Sequence, residues 1–216
     1  MQRTIKNIIK PLVPRFIFNL RKEKQQKQHQ EKQIEDWKKK GSLRPVPHIV
    51  KQLTISEFKN KYSCNVFVET GTYLGDMVEA QRKRFKKVFS IELGIDLFKN
   101  AKKRFEPYKN VTLFQGDSGK VLPEVMKYIN EPAVFWLDGH YSEGITAKGD
   151  KDCPIYEELN GIFAAKKWNH ILLIDDAFYF NGTGDYPTQE ALTNYIKAFN
   201  PNYKFELKND ILCYFI

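Results

Sequence analysis

The sequence predicts an α/β domain with a mostly parallel sheet that helices cover on both faces. Three observations support this fold class. From about residue 50, apolar β-rich runs alternate with amphipathic segments, as in parallel sheets built with crossover helices. The first run leads through a glycine-rich turn into a helix, and the chain closes with two β-rich runs that Asn209 and Asp210 divide. That division is a hairpin signal, so we expect a doubly wound sheet that ends in an antiparallel hairpin.

The predicted elements follow one another in a regular order. Strands are predicted at 65–69, 87–92, 111–116, 133–138 and 170–175. Helices are predicted at 76–85, 95–105, 119–129, 154–166 and 188–199. Five parallel strands and the terminal hairpin together make a seven-stranded sheet.

Positive charge is concentrated ahead of this domain. Residues 1–45 contain 13 Lys or Arg against 4 Asp or Glu, whereas residues 46–216 contain 22 of each. We therefore divide the chain into a basic N-terminal helical tail, 1–45, and a folded domain, 46–216. A domain with no net charge disfavours a nucleic-acid partner. The three sparse cysteines indicate reduced thiols and a cytoplasmic protein.

The tail itself has two parts. Residues 1–20 place apolar side chains at helix-like spacing with Lys and Arg between them, and Pro11 and Pro14 interrupt the helix. Two alternatives stay open for this segment. It is either a peripheral anchor on the anionic inner face of the membrane or a helix packed on the domain or on a second subunit of a homo-oligomer. Residues 21–40 are almost wholly polar and predict a solvated helix or a disordered spacer.

The run "NVFVETGTYLGDMVEA" contains a strand that ends on Glu69, then a turn with Gly71, Thr72 and Gly75. The spacing does not match the dinucleotide fingerprint G-x-G-x-x-G. It resembles the first motif of class I S-adenosylmethionine-dependent methyltransferases, and the terminal hairpin resembles the end of their Rossmann-like seven-stranded sheet. The resemblance implies S-adenosylmethionine as cofactor, held by this turn.

An acidic residue lies at the end of every predicted parallel strand, where ligands bind in such sheets. Glu92 is suited to accept hydrogen bonds from both ribose hydroxyls of the cofactor, and Asp117 from an adenine amine, with Ser118 beside it. Strands four and five, neighbours in this fold, end on Asp138 and on the Asp175–Asp176 pair. So many converging carboxylates repel one another unless a cation or hydrogen-bond donors balance them.

Three carboxylates suit an oxygen-liganded divalent cation such as Mg²⁺, so we predict a metal site formed by Asp138, Asp175 and Asp176. The alternative is that Asp175 binds cofactor or substrate directly and Asp176 caps a turn. His140 follows Asp138 closely, and its ordinary pKa near neutrality suits a general base. We predict both His140 and Asp138 as catalytic residues.

"LDGHYS" and "LLIDDA" resemble motifs of the metal-dependent sugar O-methyltransferases of the macrolide and aminocoumarin tailoring type. This implies methyl transfer to a hydroxyl of a sugar or glycan. The chain departs from that family in His140 and the loop that follows it. The segment "IKNIIKPLVPRFIFNLRK" is similar to leaders of bacterial enzymes that modify cell-surface polysaccharides, which implies a role in polysaccharide biosynthesis. Two other functions stay open: a non-catalytic nucleotide-binding module recruited by its tail, and a nicotinamide-dependent oxidoreductase.

Overall fold

The computed structural model describes residues 15–139, 151–164 and 168–216. The chain separates into two compact units, one that ends at Ile49 and one that begins at Val50. Among the described residues, no helix is long and apolar enough to cross a membrane.

The described part of the first unit is dominated by one long helix, α1 (Arg15–Lys39). The polar segment predicted as a helix or a spacer is therefore helical through Lys39. The helix ends because Gly41 and Ser42 take positive φ angles of 80° and 57°. Their N–H groups donate to the carbonyls of Lys38 and Trp37, both at 3.0 Å, which satisfies carbonyls that the helix end leaves open.

The second unit is built on a seven-stranded sheet with the order β3-β2-β1-β4-β5-β7-β6. The strands are β1 (Val66–Thr70), β2 (Lys87–Glu92), β3 (Val111–Gln115), β4 (Ala133–Leu137), β5 (Ile171–Ile174), β6 (Lys204–Lys208) and β7 (Ile211–Phe215). The first five are parallel, and β7 is antiparallel to both β5 and β6. The predicted fold class is confirmed, including the C-terminal hairpin.

Helices cover both faces of this sheet. They are α2 (His48–Lys61), α3 (Asp76–Gln81), α4 (Ile95–Phe105), α5 (Ser118–Val125), α6 (Ile155–Ala164) and α7 (Gln189–Phe199), with short 3₁₀ turns at Met126–Tyr128 and Ala177–Tyr179. Apolar side chains of α2, α3 and α4 pack on one face of the sheet. Those of α5, α6 and α7 pack on the other. The strands alternate between these two cores, as side chains of a buried sheet must.

The register aligns the carboxyl ends of the parallel strands. Thr70 pairs with Leu137, and Leu137 pairs with Ile174, so the turns after β1, β4 and β5 start at the same level. On the other side of β1, Glu92 pairs with Gln115. The acidic residues that follow or end these strands therefore meet at one edge of the sheet.

Three features of the helices differ from the prediction. The helix predicted at 76–85 ends at Gln81, and the one predicted at 119–129 becomes a 3₁₀ turn from Met126. Helix α2 was not predicted at all. It begins directly after Pro47 and carries buried Ile55 and Phe58 on one face, but its apolar positions are too few to stand out from the polar residues around them.

Candidate active site

Two glycines of the turn after β1 are required by both conformation and space. Gly71 and Gly75 have φ angles of 83° and 81°, a region that other residues rarely adopt. A Cβ atom on Gly71 would overlap the carbonyl oxygen of Asp138, and one on Gly75 would lie 2.6 Å from the ring of Phe105. The turn is therefore packed directly against the turn that follows β4.

Glu69 and Thr72 are joined through a buried serine. The hydroxyl of Ser90 on β2 donates to Glu69 Oε2 at 2.6 Å and lies 2.6 Å from the hydroxyl of Thr72. Glu69 lies inside β1, not at its end, and is 2% exposed. Its burial raises the pKa of this carboxyl well above its usual range, against the hydrogen bond from Ser90. The sequence prediction that the strand stops at Glu69 is one residue short.

Glu92 is the last residue of β2, and its carboxylate binds the backbone of two loops, the turn after β1 and the turn after β2. Its Oε2 accepts from the backbone N–H of Tyr73 at 2.7 Å, and its Oε1 accepts from that of Gly94 at 2.7 Å. Each carboxylate oxygen can accept a further hydrogen bond. Burial raises the pKa of Glu92, while the backbone donors favour its charged form. The side chain therefore stands beside the glycine turn with acceptor capacity left.

Asp117 and Ser118 both make contacts inside the protein. Asp117 is the N-cap of α5 and accepts from Gly119 N at 3.0 Å, as helix caps do. The Ser118 hydroxyl donates to Oε1 of Glu158 on α6 at 2.5 Å. A Cβ atom on Gly139 would lie 2.8 Å from the same Glu158 oxygen. The two predicted cofactor contacts thus also join β3, α5, α6 and the turn after β4.

The structure brings Asp138, Asp175 and Asp176 together. Each offers a carboxylate oxygen, and these oxygens lie within 4.8 Å of one another. Asp175 is 1% exposed, and its Oδ1 atom is buried without a hydrogen-bond partner among the residues that the structure describes. Burial and the neighbouring charge of Asp138 raise the pKa of this carboxyl above its ordinary value, with Lys51 acting in the opposite direction. We refer to these three residues as the acidic cluster.

Lys51, on the first turns of α2, reaches the acidic cluster. Its Nζ atom lies 2.5 Å from Asp175 Oδ2 and 3.2 Å from Asp176 Oδ1. Burial disfavours the charged ammonium, but the attraction of the two carboxylates outweighs this and raises the pKa of Lys51. The lysine is therefore held as a cation.

The C-terminal hairpin fixes the segment that carries Asp176. Asp210, in the hairpin turn, accepts from Ala177 N through its carbonyl at 2.8 Å and from Phe178 N through its Oδ1 at 3.0 Å. The adjacent Asn209 donates to the Thr54 hydroxyl of α2 at 3.0 Å. Because α2 carries Lys51, the hairpin turn ties the lysine and the carboxylates to the same support.

Sequence reasoning missed Lys51 and Glu158. His140 lies outside the described residues. Lys51 shares a helix face with Ile55 and Phe58, four and seven positions later, so a lysine on the buried face of an amphipathic helix was the available signal. For Glu158, the signal is the position next to Leu159 on the apolar face of α6.

Comparisons with known proteins support the fold. No protein-family model matches the sequence, and no curated protein matches it. Among solved structures, the chain is similar to an O-methyltransferase from Bacillus cereus in complex with SAH (TM-score 0.56, 12% identity, 87% of this chain and 90% of that one). It is also similar to TomG, an O-methyltransferase from Streptomyces achromogenes involved in tomaymycin synthesis, in complex with SAM (0.53, 12%, 86% and 87%).

A third similar structure is the SAH-bound methyltransferase PaMTH1 from Podospora anserina, with a TM-score of 0.52, 12% identity and coverage of 90% of this chain and 94% of that one. At such identities the likeness concerns the fold alone. The domain therefore has the α/β fold of S-adenosylmethionine-dependent methyltransferases, with the sheet order and hairpin described above.

Proposed function

We propose that the domain transfers a methyl group from S-adenosylmethionine to a hydroxyl group of a sugar or a cell-surface glycan. One observation carries this proposal. In a methyltransferase-type fold, the glycine turn after β1 packs directly on the turn that begins with Asp138, part of the acidic cluster. A cofactor side and an acceptor side are thus adjacent at the carboxyl edge of the sheet, where ligands of open α/β sheets bind.

On the cofactor side, Glu92 is proposed to accept hydrogen bonds from the ribose hydroxyls. Its oxygens accept backbone N–H groups of Tyr73 and Gly94, and a carboxylate offers about four acceptor positions in all. Gly71 and Gly75 let this turn pack closely on the turn after β4 and on Phe105, which fixes the backbone that lies beside Glu92. Four further residues are proposed to bind the cofactor or to hold the loops around it through the internal contacts described above: Glu69, Thr72, Asp117 and Ser118.

On the acceptor side, the acidic cluster is proposed to hold a divalent cation such as Mg²⁺. The three residues each offer a carboxylate oxygen, and these oxygens lie within 4.8 Å of one another. One of the residues, Asp175, also has a buried oxygen without a hydrogen-bond partner among the described residues. Oxygen ligands of this kind are those that Mg²⁺ prefers. Such a bound ion lowers the pKa of a coordinated hydroxyl group. Either His140 or Asp138 is proposed to take the single hydroxyl proton as the new C–O bond forms and the C–S bond of the cofactor breaks, which leaves S-adenosylhomocysteine.

The tail is proposed to bring the domain to its acceptor. Residues 1–20 combine apolar and basic side chains, a composition suited to peripheral contact with anionic lipid. A glycan acceptor on the inner face of the cytoplasmic membrane would then lie within reach, and polysaccharide biosynthesis is the corresponding process. The other arrangement, in which this segment packs on the domain or in a homo-oligomer, is separated from it by the last experiment of the Discussion.

Calorimetry of the purified protein with S-adenosylmethionine and with NAD tests the proposed function. We expect S-adenosylmethionine to bind and NAD not to bind. Glu92→Ala should weaken binding by about 1–3 kcal/mol, because ribose hydroxyls would lose a charged acceptor. Glu124→Ala is the matched control, since this glutamate is exposed on α5. NAD binding without S-adenosylmethionine binding would overturn the proposal.

Removal of metal tests the acceptor side separately. Methyl transfer to a sugar hydroxyl should be lost in excess EDTA and return when Mg²⁺ is added above the chelator concentration. The physical reason is that an ion held by the acidic cluster would stabilise the negative charge that develops on the hydroxyl oxygen. Full turnover in EDTA would contradict the metal site and leave the methyl-transfer proposal standing.

A further inference from the structure

We infer that Lys51 is a positioning residue of the acidic cluster, one that holds Oδ2 of Asp175 and an oxygen of Asp176 and leaves Oδ1 of Asp175 for a divalent cation. The inference rests on the metal-assisted methyl transfer proposed above. It adds to that proposal a residue from α2, an element that precedes the first strand of the sheet.

The contacts divide the carboxylate oxygens into two groups. Lys51 Nζ takes Asp175 Oδ2 at 2.5 Å and Asp176 Oδ1 at 3.2 Å. Asp175 Oδ1 has no hydrogen-bond partner within the described ranges. An acceptor left unpaired in the protein interior is destabilising, because it has lost its hydrogen bonds to water without replacement. Because the Lys51 ammonium contacts the other oxygen of Asp175, this Oδ1 atom remains available to bind a ligand.

The charges lead to the same conclusion. The single positive charge of the Lys51 ammonium faces two carboxylates, those of Asp175 and Asp176. Hydrogen-bond donors behind a metal-binding carboxylate fix its orientation, and their loss typically lowers metal affinity about 10–100-fold.

The support of α2 makes Lys51 suitable for this role. Asn209 of the hairpin turn donates to Thr54 at 3.0 Å, and Lys208 pairs with Glu57 at 2.6 Å. Both contacts hold α2 against the hairpin, whose Asp210 in turn binds the segment after Asp176. The ammonium is thus presented from a helix fixed relative to the carboxylates that it contacts.

Competition is the opposing possibility, and it predicts a change of the opposite sign. If the ammonium occupied the position of the metal, its removal would free two oxygens and remove a repelling charge, so a divalent cation would bind more tightly. If Lys51 positions the carboxylates, its removal weakens metal binding even though a positive charge has been lost. The sign of the change in affinity therefore decides between the two.

Titration calorimetry with Mn²⁺ measures this sign in the full-length protein. We expect Lys51→Met to weaken Mn²⁺ binding about 10-fold or more, with the affinity for S-adenosylmethionine unchanged. Lys59→Met is the matched control, since Lys59 is also a partly buried lysine of α2, but its ammonium lies over the ring of Phe85, away from the acidic cluster. That control should leave Mn²⁺ affinity unchanged.

A second measurement needs no variant and applies even if Lys51→Met fails to fold. Acylation of the wild-type protein, with mass spectrometry of the peptides, should find the Lys51 amine as protected with Mn²⁺ as without it. Tighter or unchanged Mn²⁺ binding by Lys51→Met, or faster acylation of Lys51 with Mn²⁺, would overturn the inference alone. Absence of Mn²⁺ binding to the wild type would overturn it together with the proposed metal site, while S-adenosylmethionine binding still tests methyl transfer independently.

Discussion

Acidic side chains at the carboxyl edge of the sheet are each held by a different kind of donor. Glu92 accepts from backbone amides, Glu69 from the Ser90 hydroxyl and Asp175 from the Lys51 ammonium. Donors of these kinds offset most of the repulsion that converging carboxylates would otherwise cause. Asp175 Oδ1 is the buried carboxylate oxygen of the acidic cluster that has no hydrogen-bond partner among the described residues, and the proposed divalent cation would supply one.

His170, at the start of β5, makes stability depend on pH. Its Nδ1 accepts from Ala133 N at 3.2 Å, and burial lowers its pKa from 6.5 to about 4. Between these pH values the unfolded chain binds a proton that the folded state excludes. Stability should therefore fall as the pH drops from 6.5 towards 4, by about 3 kcal/mol in total.

Urea denaturation at pH 7.5 and pH 4.5 measures this dependence. His170→Asn is the informative comparison, because its side-chain oxygen can replace Nδ1 as acceptor for Ala133 N but does not titrate. The loss of stability on acidification should be smaller in this variant than in the wild type. Equal losses in the two proteins would show that His170 is protonated without cost in the folded state.

At the scale of elements, the contact between the turns after β1 and β4 depends on Gly71. Gly71→Ala would place a Cβ atom in direct steric clash with the Asp138 carbonyl oxygen. It would also force alanine into a left-handed conformation. Gly184→Ala is a matched control, because Gly184 has a φ of 60° and a Cβ atom added there would meet no other atom within 4 Å. The control should lose about 1–2 kcal/mol from the backbone conformation alone.

We expect Gly71→Ala to lose more stability than this control and to lose affinity for S-adenosylmethionine, since separating the two turns moves both sides of the site. Chemical denaturation and calorimetry of the two variants measure these effects. Equal stability losses in Gly71→Ala and Gly184→Ala would indicate that the turn relaxes without moving the turn after β4.

Elements with a strong local pattern could be predicted from the sequence. The five parallel strands are rich in apolar and β-branched residues, and the hairpin turn is marked by Asn209 and Asp210, whose φ angles of 53° and 58° are those that Asn and Asp tolerate best. The meeting of Asp138 with the Asp175–Asp176 pair followed from the strand order alone. Helix α2 and Lys51 could not be found in this way, because the lysine reaches the acidic cluster across 124 positions of the chain.

The sequence also could not predict which other residues of the protein the predicted site residues contact. Asp117 caps α5 and Ser118 donates to Glu158, but a residue type at a strand end does not reveal which of several partners it meets. The donor that each carboxylate finds depends on packing between elements that are distant in sequence. Prediction therefore located the edge of the sheet where the site lies and left the pairing of its side chains undetermined.

At the scale of the whole molecule, the neutral total of residues 46–216 conceals an uneven distribution. Residues 82–109 contain 10 Lys or Arg against 3 Asp or Glu. Several of these basic side chains are exposed on and around α4: Lys83, Lys86, Lys87, Lys99, Lys102, Lys103, Arg104 and Lys109. Any test of the tail as a membrane anchor must therefore separate its contribution from that of this basic surface.

Co-sedimentation with lipid vesicles makes that separation. If residues 1–20 form a peripheral anchor, Arg3, Lys6 and Lys10 attract the segment to anionic lipid while its apolar side chains insert. Full-length protein should then bind anionic vesicles, and part of this binding should survive high salt, because inserted apolar area is not screened. A protein lacking residues 1–45 should lose the salt-resistant part, keep only weak salt-sensitive binding through residues 82–109, and bind S-adenosylmethionine with unchanged affinity.

The competing arrangement, in which the same segment packs on the domain or on a second subunit, predicts other results for the same pair of proteins. Deletion would expose the apolar surface that the segment covers, so the melting temperature would fall or an oligomer would dissociate. Vesicle binding of the full-length protein would be no greater than that of the truncated one. Both proteins keep the basic residues 82–109, so the difference in their vesicle binding measures the contribution of the tail. If the two proteins bind anionic vesicles equally at low salt, the membrane anchor is excluded.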